Sequence, residues 1–182
     1  MTYRTHVRYQ QFEAEIRDLV TRATPAARHL YSHRTIARLT APGLLTELPE
    51  GELDAYAQRA FTRACDLARG HAVEHDTELT GAHPVDPVAG EATGREVLRL
   101  LDLVDAGVLT TGDMDPRLLG VLEALAYWAR FLIDRDVEQV VRLALAAVTE
   151  IDYRVGVDLE DILSEPEMAA EFQRIRRELT DD

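Results

Sequence analysis

The stretch from Pro116 to Val155 constrains the fold more than any other part of the chain. Apolar residues recur at steps of three and four over 116–133 and again over 136–155, and an acidic break separates the two runs. This spacing is typical of two helices joined by a short turn. Apolar residues cover so much of each run that both helices must be buried on several sides. The sequence therefore predicts a central antiparallel helix pair onto which the other helices pack.

Signals for helix ends divide the rest of the chain. Asp115 and Asp136 are suitable N-caps for the central pair, and Thr24-Pro25 is suited to begin another helix. Thr93 with Glu96 and Ser164 with Glu167 have the spacing of a capping box. Further helices are predicted over 3–22, 26–39, 52–70, 93–107 and 164–179. We therefore predict one all-α domain over residues 1–182, a helical bundle of about seven helices without strands.

Charge limits the partners of this protein. The 182 residues have a net charge of −13, and all twenty cationic side chains are arginine. Residues 1–70 carry ten arginines against eight acids, whereas residues 71–182 carry ten against twenty-five. Nucleic-acid binding needs clustered cations at the phosphates, so the sequence predicts no nucleic-acid partner. The acidic half is interpreted as a solubilising surface or as a patch for a basic protein.

The sequence also indicates a cellular setting. Charged residues interrupt the most apolar region, and no run reaches the ~18 apolar residues of a membrane span. The first residues have no apolar core of the kind found in signal peptides. The single cysteine, Cys65, lies within a predicted helix, which favours a buried thiol in a reducing compartment. We therefore expect a cytoplasmic protein that does not enter membranes.

A histidine cluster is the main candidate for chemistry. His71 and His75 are four residues apart, so on a helix both imidazoles would share one face and could reach one metal ion. His33, on the second predicted helix, could supply a third ligand, with zinc as the typical ion. The competing interpretation is a polar, solvated helix end that runs into a loop, and the acidic neighbours of the pair favour it.

Three metal-enzyme patterns come close to this cluster. His71-x-x-Glu74-His75 matches the inverzincin string, in which the glutamate is a general base. The pair His75-Asp76 is similar to the dyad of HD-domain phosphohydrolases, which are helical metal enzymes. A set of three histidines from two helices resembles DinB-like bundles, which would imply a metal held by His33, His71 and His75.

Other reactive groups are sparse. No nucleophile-elbow motif and no phosphate-binding glycine motif is present. The carboxylate pairs, such as Asp134 with Asp136, are interpreted as caps or solvated turns. Tyr127 and Trp128 are predicted to be core residues of the central helix or aromatic anchors at a subunit interface.

The last two elements resemble the closing segment of the YjaG-like proteins, an all-helical bacterial family without an assigned activity. The matching residues are Pro166 followed by Glu171 and Phe172, the polar break at 134–136, and Arg22-x-x-Pro25 leading to Tyr31. The resemblance implies a helical fold and no particular chemistry.

Two functional hypotheses follow. The first is a non-enzymatic helical protein that binds another protein as a homodimer, an accessory factor or an immunity-type partner of a basic protein. The alternative is a metal-dependent helical enzyme, DinB-like or HD-like, that uses His33, His71 and His75. The alternative requires those three imidazoles to converge within a few ångströms, in a pocket.

Overall fold

The structure is a computed structural model that describes residues 8–76, 87–109 and 114–180. Within these ranges the chain is helical throughout, with no β-strand and one isolated bridge between Leu53 and Val108. The eight α-helices are α1 (Tyr9–Arg22), α2 (Pro25–Leu39), α3 (Pro42–Leu45), α4 (Ala55–Glu74), α5 (Pro87–Ala106), α6 (Pro116–Asp134), α7 (Val137–Val155) and α8 (Pro166–Thr180). A 3₁₀ turn, Ile162–Ser164, precedes α8. The predicted all-α fold is confirmed.

The central pair lies where the apolar pattern predicts it. Asp115 begins α6 by accepting hydrogen bonds from the backbone of Arg117 and Leu118, and Asp136 begins α7 by accepting from Glu138. Side-chain oxygens at these positions satisfy donors that the first turn of a helix leaves without partners. Thr24 does the same for α2 by accepting from Ala27. The predicted caps of these three helices are confirmed.

Two details of the predicted helix pattern are wrong. Residues 42–45 form the short helix α3 instead of a plain connection; the described ranges thus hold eight α-helices, in line with the predicted number of about seven. Helix α5 is already present at Pro87, so Thr93 is an interior residue and not a cap. The Thr93 hydroxyl donates to the carbonyl of Ala89 one turn earlier, a bond that interior threonines can make. The proline and glycine content of residues 80–92 predicts a loop; residues 80–86 lie outside the described ranges, and residues 87–92 belong to α5.

Two apolar clusters meet along the central pair. The larger one joins α4, α5 and α6, with Ala64, Val97 and Leu125 fully buried. The smaller one joins α1, α7 and α8 around Phe12 and Ile175. Helix α2 contacts α4, α6, α7 and α8, so it lies between the two clusters.

Helices α5 and α6 approach each other closely at Gly94. A Cβ atom at this position would lie 2.6 Å from the carbonyl oxygen of Ala129 and 3.2 Å from the Cβ of Leu132. A residue without a side chain is therefore needed for α5 to pack at this distance. The close approach also holds the neighbouring residue Thr93 against α4.

Arginine–carboxylate pairs connect α2 to the last helix. Glu171, only 3% exposed, accepts two hydrogen bonds from Arg38 at 2.7 and 2.9 Å and two more from Arg174 at 2.6 and 3.1 Å. Two guanidinium groups satisfy the oxygens of this buried carboxylate, as buried charges require. The pairs orient α2 against α8.

No helix within the described ranges is both long enough and apolar enough to cross a membrane.

The burial of α6 gives a prediction about stability. Leu125 is fully buried, whereas Leu119 on the same helix is 43% exposed. Replacing Leu125 by alanine should lower the free energy of unfolding by about 2–5 kcal/mol, because it removes buried apolar surface and leaves a cavity. Replacing Leu119 by alanine should change it by less than about 0.5 kcal/mol. Urea unfolding of both variants measures the difference, and equal losses would place the core elsewhere.

Candidate functional site

All four histidines in the described part of the chain converge. Helix α2 contributes His29 and His33, and helix α4 contributes His71 and His75. Their ring centroids are 4.9 Å apart for His29 and His33 and 4.1 Å apart for His71 and His75. The ring of His33 lies 5.4 Å from that of His71 and 6.3 Å from that of His75. These four imidazoles form one group, called here the histidine cluster.

Four helices surround the histidine cluster. Each histidine pair is four residues apart on its helix, which places both rings on one face. Trp128 of α6 packs edge-on against His33 and His71, with centroids 6.0 and 5.8 Å away. Thr93 of α5 reaches His71 from the other side. Sequence-distant residues are therefore brought together where α2, α4, α5 and α6 meet.

The interpretation of His71 and His75 as a solvated helix end is wrong for His71. Helix α4 continues through Gly70 to Glu74, so His71 lies inside the helix and is only 7% exposed. His33 is 1% exposed, and His29 and His75 are half-buried. The histidine cluster thus extends from the core to the surface.

Hydrogen bonds determine which nitrogen of His71 and of His75 carries the proton. His75 Nδ1 donates to the backbone carbonyl of His71 at 2.8 Å, so its Nε2 has a free lone pair. His71 Nδ1 lies 3.3 Å from the Thr93 hydroxyl oxygen. Because that hydroxyl donates its one hydrogen to Ala89, its oxygen accepts from His71. The Nε2 atoms of both rings are therefore lone-pair donors.

The Nε2 atom of His71 stands out among these groups. It is buried and makes no hydrogen bond with any described residue. A buried polar atom without a partner costs about 1–3 kcal/mol, so such an atom in a folded protein needs an explanation. A bound metal ion or other electron-pair acceptor would satisfy this lone pair.

His33 and His29 are engaged differently. The indole nitrogen of Trp128 donates to His33 Nδ1 at 3.2 Å, inside the core. His33 Nε2 lies 3.2 Å from His29 Nδ1, and His29 Nε2 contacts the guanidinium of Arg135. Both nitrogens of each ring therefore have neighbours, which sets this pair apart from His71 and His75.

Burial holds the imidazoles of His29, His33 and His71 in their neutral form. It lowers the pKa of His29 to about 4, with a further contribution from the positive charge of Arg135. It also lowers the pKa of His71 to about 4 and the pKa of His33 well below 6.5. Desolvation disfavours a charged ring, and the neighbouring imidazoles add to this effect. Neutral imidazole is the form that binds metal ions.

A buried ion pair borders the histidine cluster at the end of α4. Asp76, 3% exposed, follows the last residue of the cluster and accepts hydrogen bonds from Arg34 at 3.1 and 3.3 Å. Arg34 belongs to α2, so this pair connects the same two helices that carry the histidines. It orients α4 against α2 at the level of the cluster.

Three of the four clustered histidines were predicted from the sequence as candidate metal ligands. His33, His71 and His75 lie in one cluster, but no three His, Cys, Asp or Glu side chains in the described ranges are arranged to hold a metal ion, so the metal site stays a prediction. His29, Thr93, Trp128 and Arg135 were not recognised as part of the site. A signal for His29 existed, because His29 and His33 repeat the four-residue spacing of the other pair.

The other candidates have structural roles. Cys65 is fully buried, which raises the pKa of its thiol to about 12 and makes it unreactive. Asp136 is a helix cap, as predicted. Trp128 is fully buried and Tyr127 partly so, which confirms their placement in the core of α6.

Comparisons with protein-family models, with curated proteins and with solved structures find no match for this chain.

The lowered pKa values predict how stability depends on pH. The unfolded state takes up protons on its histidines near pH 6.5, whereas folded His29 and His71 do so only near pH 4. Their contribution to stability is therefore complete above pH 6.5 and is lost as the pH falls towards 4. The loss is at most about 1.4 kcal/mol per pH unit for each histidine.

Urea unfolding of metal-free protein at pH 7.5 and 5.5 measures this effect. The wild type should be less stable at pH 5.5, and the difference between the two pH values should shrink in His71→Asn. Equal wild-type stability at both values would contradict the neutral, buried state of these rings.

Proposed function

We propose that the protein binds a divalent transition-metal ion, of the zinc type, at the histidine cluster. The observation that supports this proposal is the pair of Nε2 lone pairs on His71 and His75, one of them buried without a partner. In metal sites a ligating imidazole usually donates its other N–H to a carbonyl or another polar oxygen. Both rings already make that bond, so their tautomers suit a metal.

The two rings by themselves leave the coordination shell incomplete. Zinc takes three protein ligands in catalytic sites and four in structural ones. His33 is the nearest further imidazole, and it would become a ligand through Nδ1, which would exchange its hydrogen bond with Trp128 for the metal while Nε2 keeps its contact with His29. Rotation about the last side-chain torsion of histidine is soft, which favours such a change.

The resulting arrangement resembles a catalytic site more than a structural one. Three imidazoles are neutral ligands, so the ion keeps its full positive charge and an open position for water or a ligand. A structural site is closed by four protein ligands, commonly including thiolates. The one cysteine of this chain is buried on α4 and belongs to the apolar core. We therefore propose a metal-dependent helical enzyme as the function.

Metal binding can be tested directly. Protein made without a histidine tag should bind one zinc ion per chain in competition with a chromogenic chelator. The double variant His71→Ala, His75→Ala should lose this binding, whereas Gln58→Ala, an exposed position on the same helix, should retain it. Wild-type protein without stoichiometric zinc, or a double variant that keeps it, would contradict the proposal.

A second variant tests the role of the neighbouring hydroxyl. Thr93→Val keeps the shape of the side chain but removes the acceptor for His71 Nδ1. It should weaken zinc binding by about 10–100-fold, as is usual for such supporting contacts. Unchanged affinity would mean that Thr93 does not set the tautomer of His71.

Protein binding is the second candidate function, and one surface favours it. Residues 150–167 contain seven acidic residues and one arginine. Within this segment Tyr153 is 53% exposed and Leu159 is 55% exposed. Exposed aromatic and aliphatic residues among charges are typical of anchors at protein interfaces, so we propose a basic cytoplasmic protein as the partner. A second copy of this acidic chain fits less well, because the two copies would repel each other.

The charge of this surface predicts how a partner would associate. The association rate of a recovered basic partner should fall steeply above ~0.15 M salt, where the screening length is about 8 Å. Glu160→Lys should slow association, and Tyr153→Ser should speed dissociation. Surface-plasmon kinetics across a salt series measures both. If the association rate changes neither with salt nor in Glu160→Lys, the acidic segment serves only to keep the protein soluble.

A further inference from the structure

Side-chain contacts link Trp128, His33, His29 and Arg135 in that order, and these contacts contain one more N–H donor than they have acceptors. An indole nitrogen can only donate, so His33 Nδ1 accepts and the proton of His33 is on Nε2. His33 Nε2 lies against His29 Nδ1, and His29 Nε2 lies against the guanidinium of Arg135, which also can only donate. Four N–H donors therefore share three contacts, so one contact holds two donors. The contact of His29 with Arg135 is the one in which both residues are half-buried, and with the proton of His29 on Nε2 it holds the excess donor.

This conclusion does not depend on the charge state of the rings. A protonated His29 or His33 would bring a further N–H and would increase the excess of donors. An acceptor that comes from solvent can reach the half-buried contact of His29 with Arg135 and accept from both groups. In the metal-free protein the indole of Trp128 is fully buried and donates to His33 Nδ1, so that end of the network holds no free acceptor.

Arg135 also lacks a counter-ion. Within the described ranges its guanidinium makes no ion pair, and the carboxylate that influences it, that of Glu91, is hydrogen-bonded to Arg95. The group lies over the ring of Phe131, 5.9 Å from its centroid. A partly desolvated cation without an ion pair attracts an anion.

The backbone of Arg135 supports a specific role for this side chain. Arg135 follows the last residue of α6 with φ at 58°, and it is the single non-glycine residue with positive φ in the described ranges. Glycine or asparagine usually occupies this position, because other side chains are strained there. The guanidinium of this residue contacts His29, and strained backbone of this kind often occurs at functional sites.

We propose that His29 and Arg135 bind an oxyanion, the carboxylate or phosphate group of a small molecule. One oxygen accepts from His29 Nε2–H, and the same group accepts from the guanidinium of Arg135. Both residues are half-buried, so a small ligand can reach the space beside them, whereas the surface of another macromolecule cannot. The inference goes beyond the metal proposal and does not depend on it, since neither residue is one of the metal ligands proposed above.

The test uses the full chain in metal-free form. Sodium phosphate and sodium acetate are titrated separately at constant ionic strength, with chloride as the reference anion. Binding is followed by calorimetry and by the ¹⁵N shift of the His29 imidazole. We expect one site that saturates with phosphate or acetate and shifts the His29 signal, and the stronger of the two identifies the ligand group. No saturable binding of either anion below ~10 mM would overturn the proposal.

A matched pair of variants locates the site. Arg135→Gly suits the left-handed backbone and removes the guanidinium, so the variant should fold and bind the anion at least about tenfold more weakly. Arg130→Gln removes the same charge from an exposed position on α6 and should bind as the wild type does. Undiminished binding in Arg135→Gly, or an equal loss in both variants, would overturn the proposal. Zinc binding, measured separately, tests the metal proposal whatever the result with anions.

Discussion

The hydrogen bond from Trp128 to His33 is the interaction on which the rest of this structure depends. A buried indole N–H needs an acceptor, and His33 Nδ1 provides one at 3.2 Å inside the core. This bond connects α2 to the central helix α6. It also places the proton of neutral His33 on Nε2, against His29. Packing and site chemistry are therefore consequences of the same contact.

The histidine cluster divides into two functional halves along this bond. His71 and His75 present lone pairs, because their Nδ1 protons are donated to a carbonyl and to the Thr93 hydroxyl. In the proposed anion site, His29 presents Nε2–H beside the guanidinium of Arg135 while its Nδ1 accepts from His33. Lone pairs suit a cation and opposed N–H groups suit an anion. A metal ion and an anionic ligand are thus complementary proposals for adjacent parts of one site.

The positions of the helices could be predicted from the sequence because the signals that set them are local. The 3.6-residue period, the caps Asp115, Asp136 and Thr24, and the buried face of α6 depend on neighbours a few residues away. The predicted start of α5 was wrong. Thr93 has the spacing of a cap, but the helix is already present at Pro87, and the Thr93 hydroxyl bonds to Ala89 inside it.

The amino-acid sequence by itself determined the all-α fold, the central helix pair and the two histidine pairs spaced four residues apart. Only the tertiary structure decided that the pairs meet, that His71 is buried and that Arg135 reaches His29. These contacts join residues 95 and 106 positions apart, such as Trp128 with His33 and Arg135 with His29. No local period encodes such contacts, because they depend on which helices pack together and at what distance.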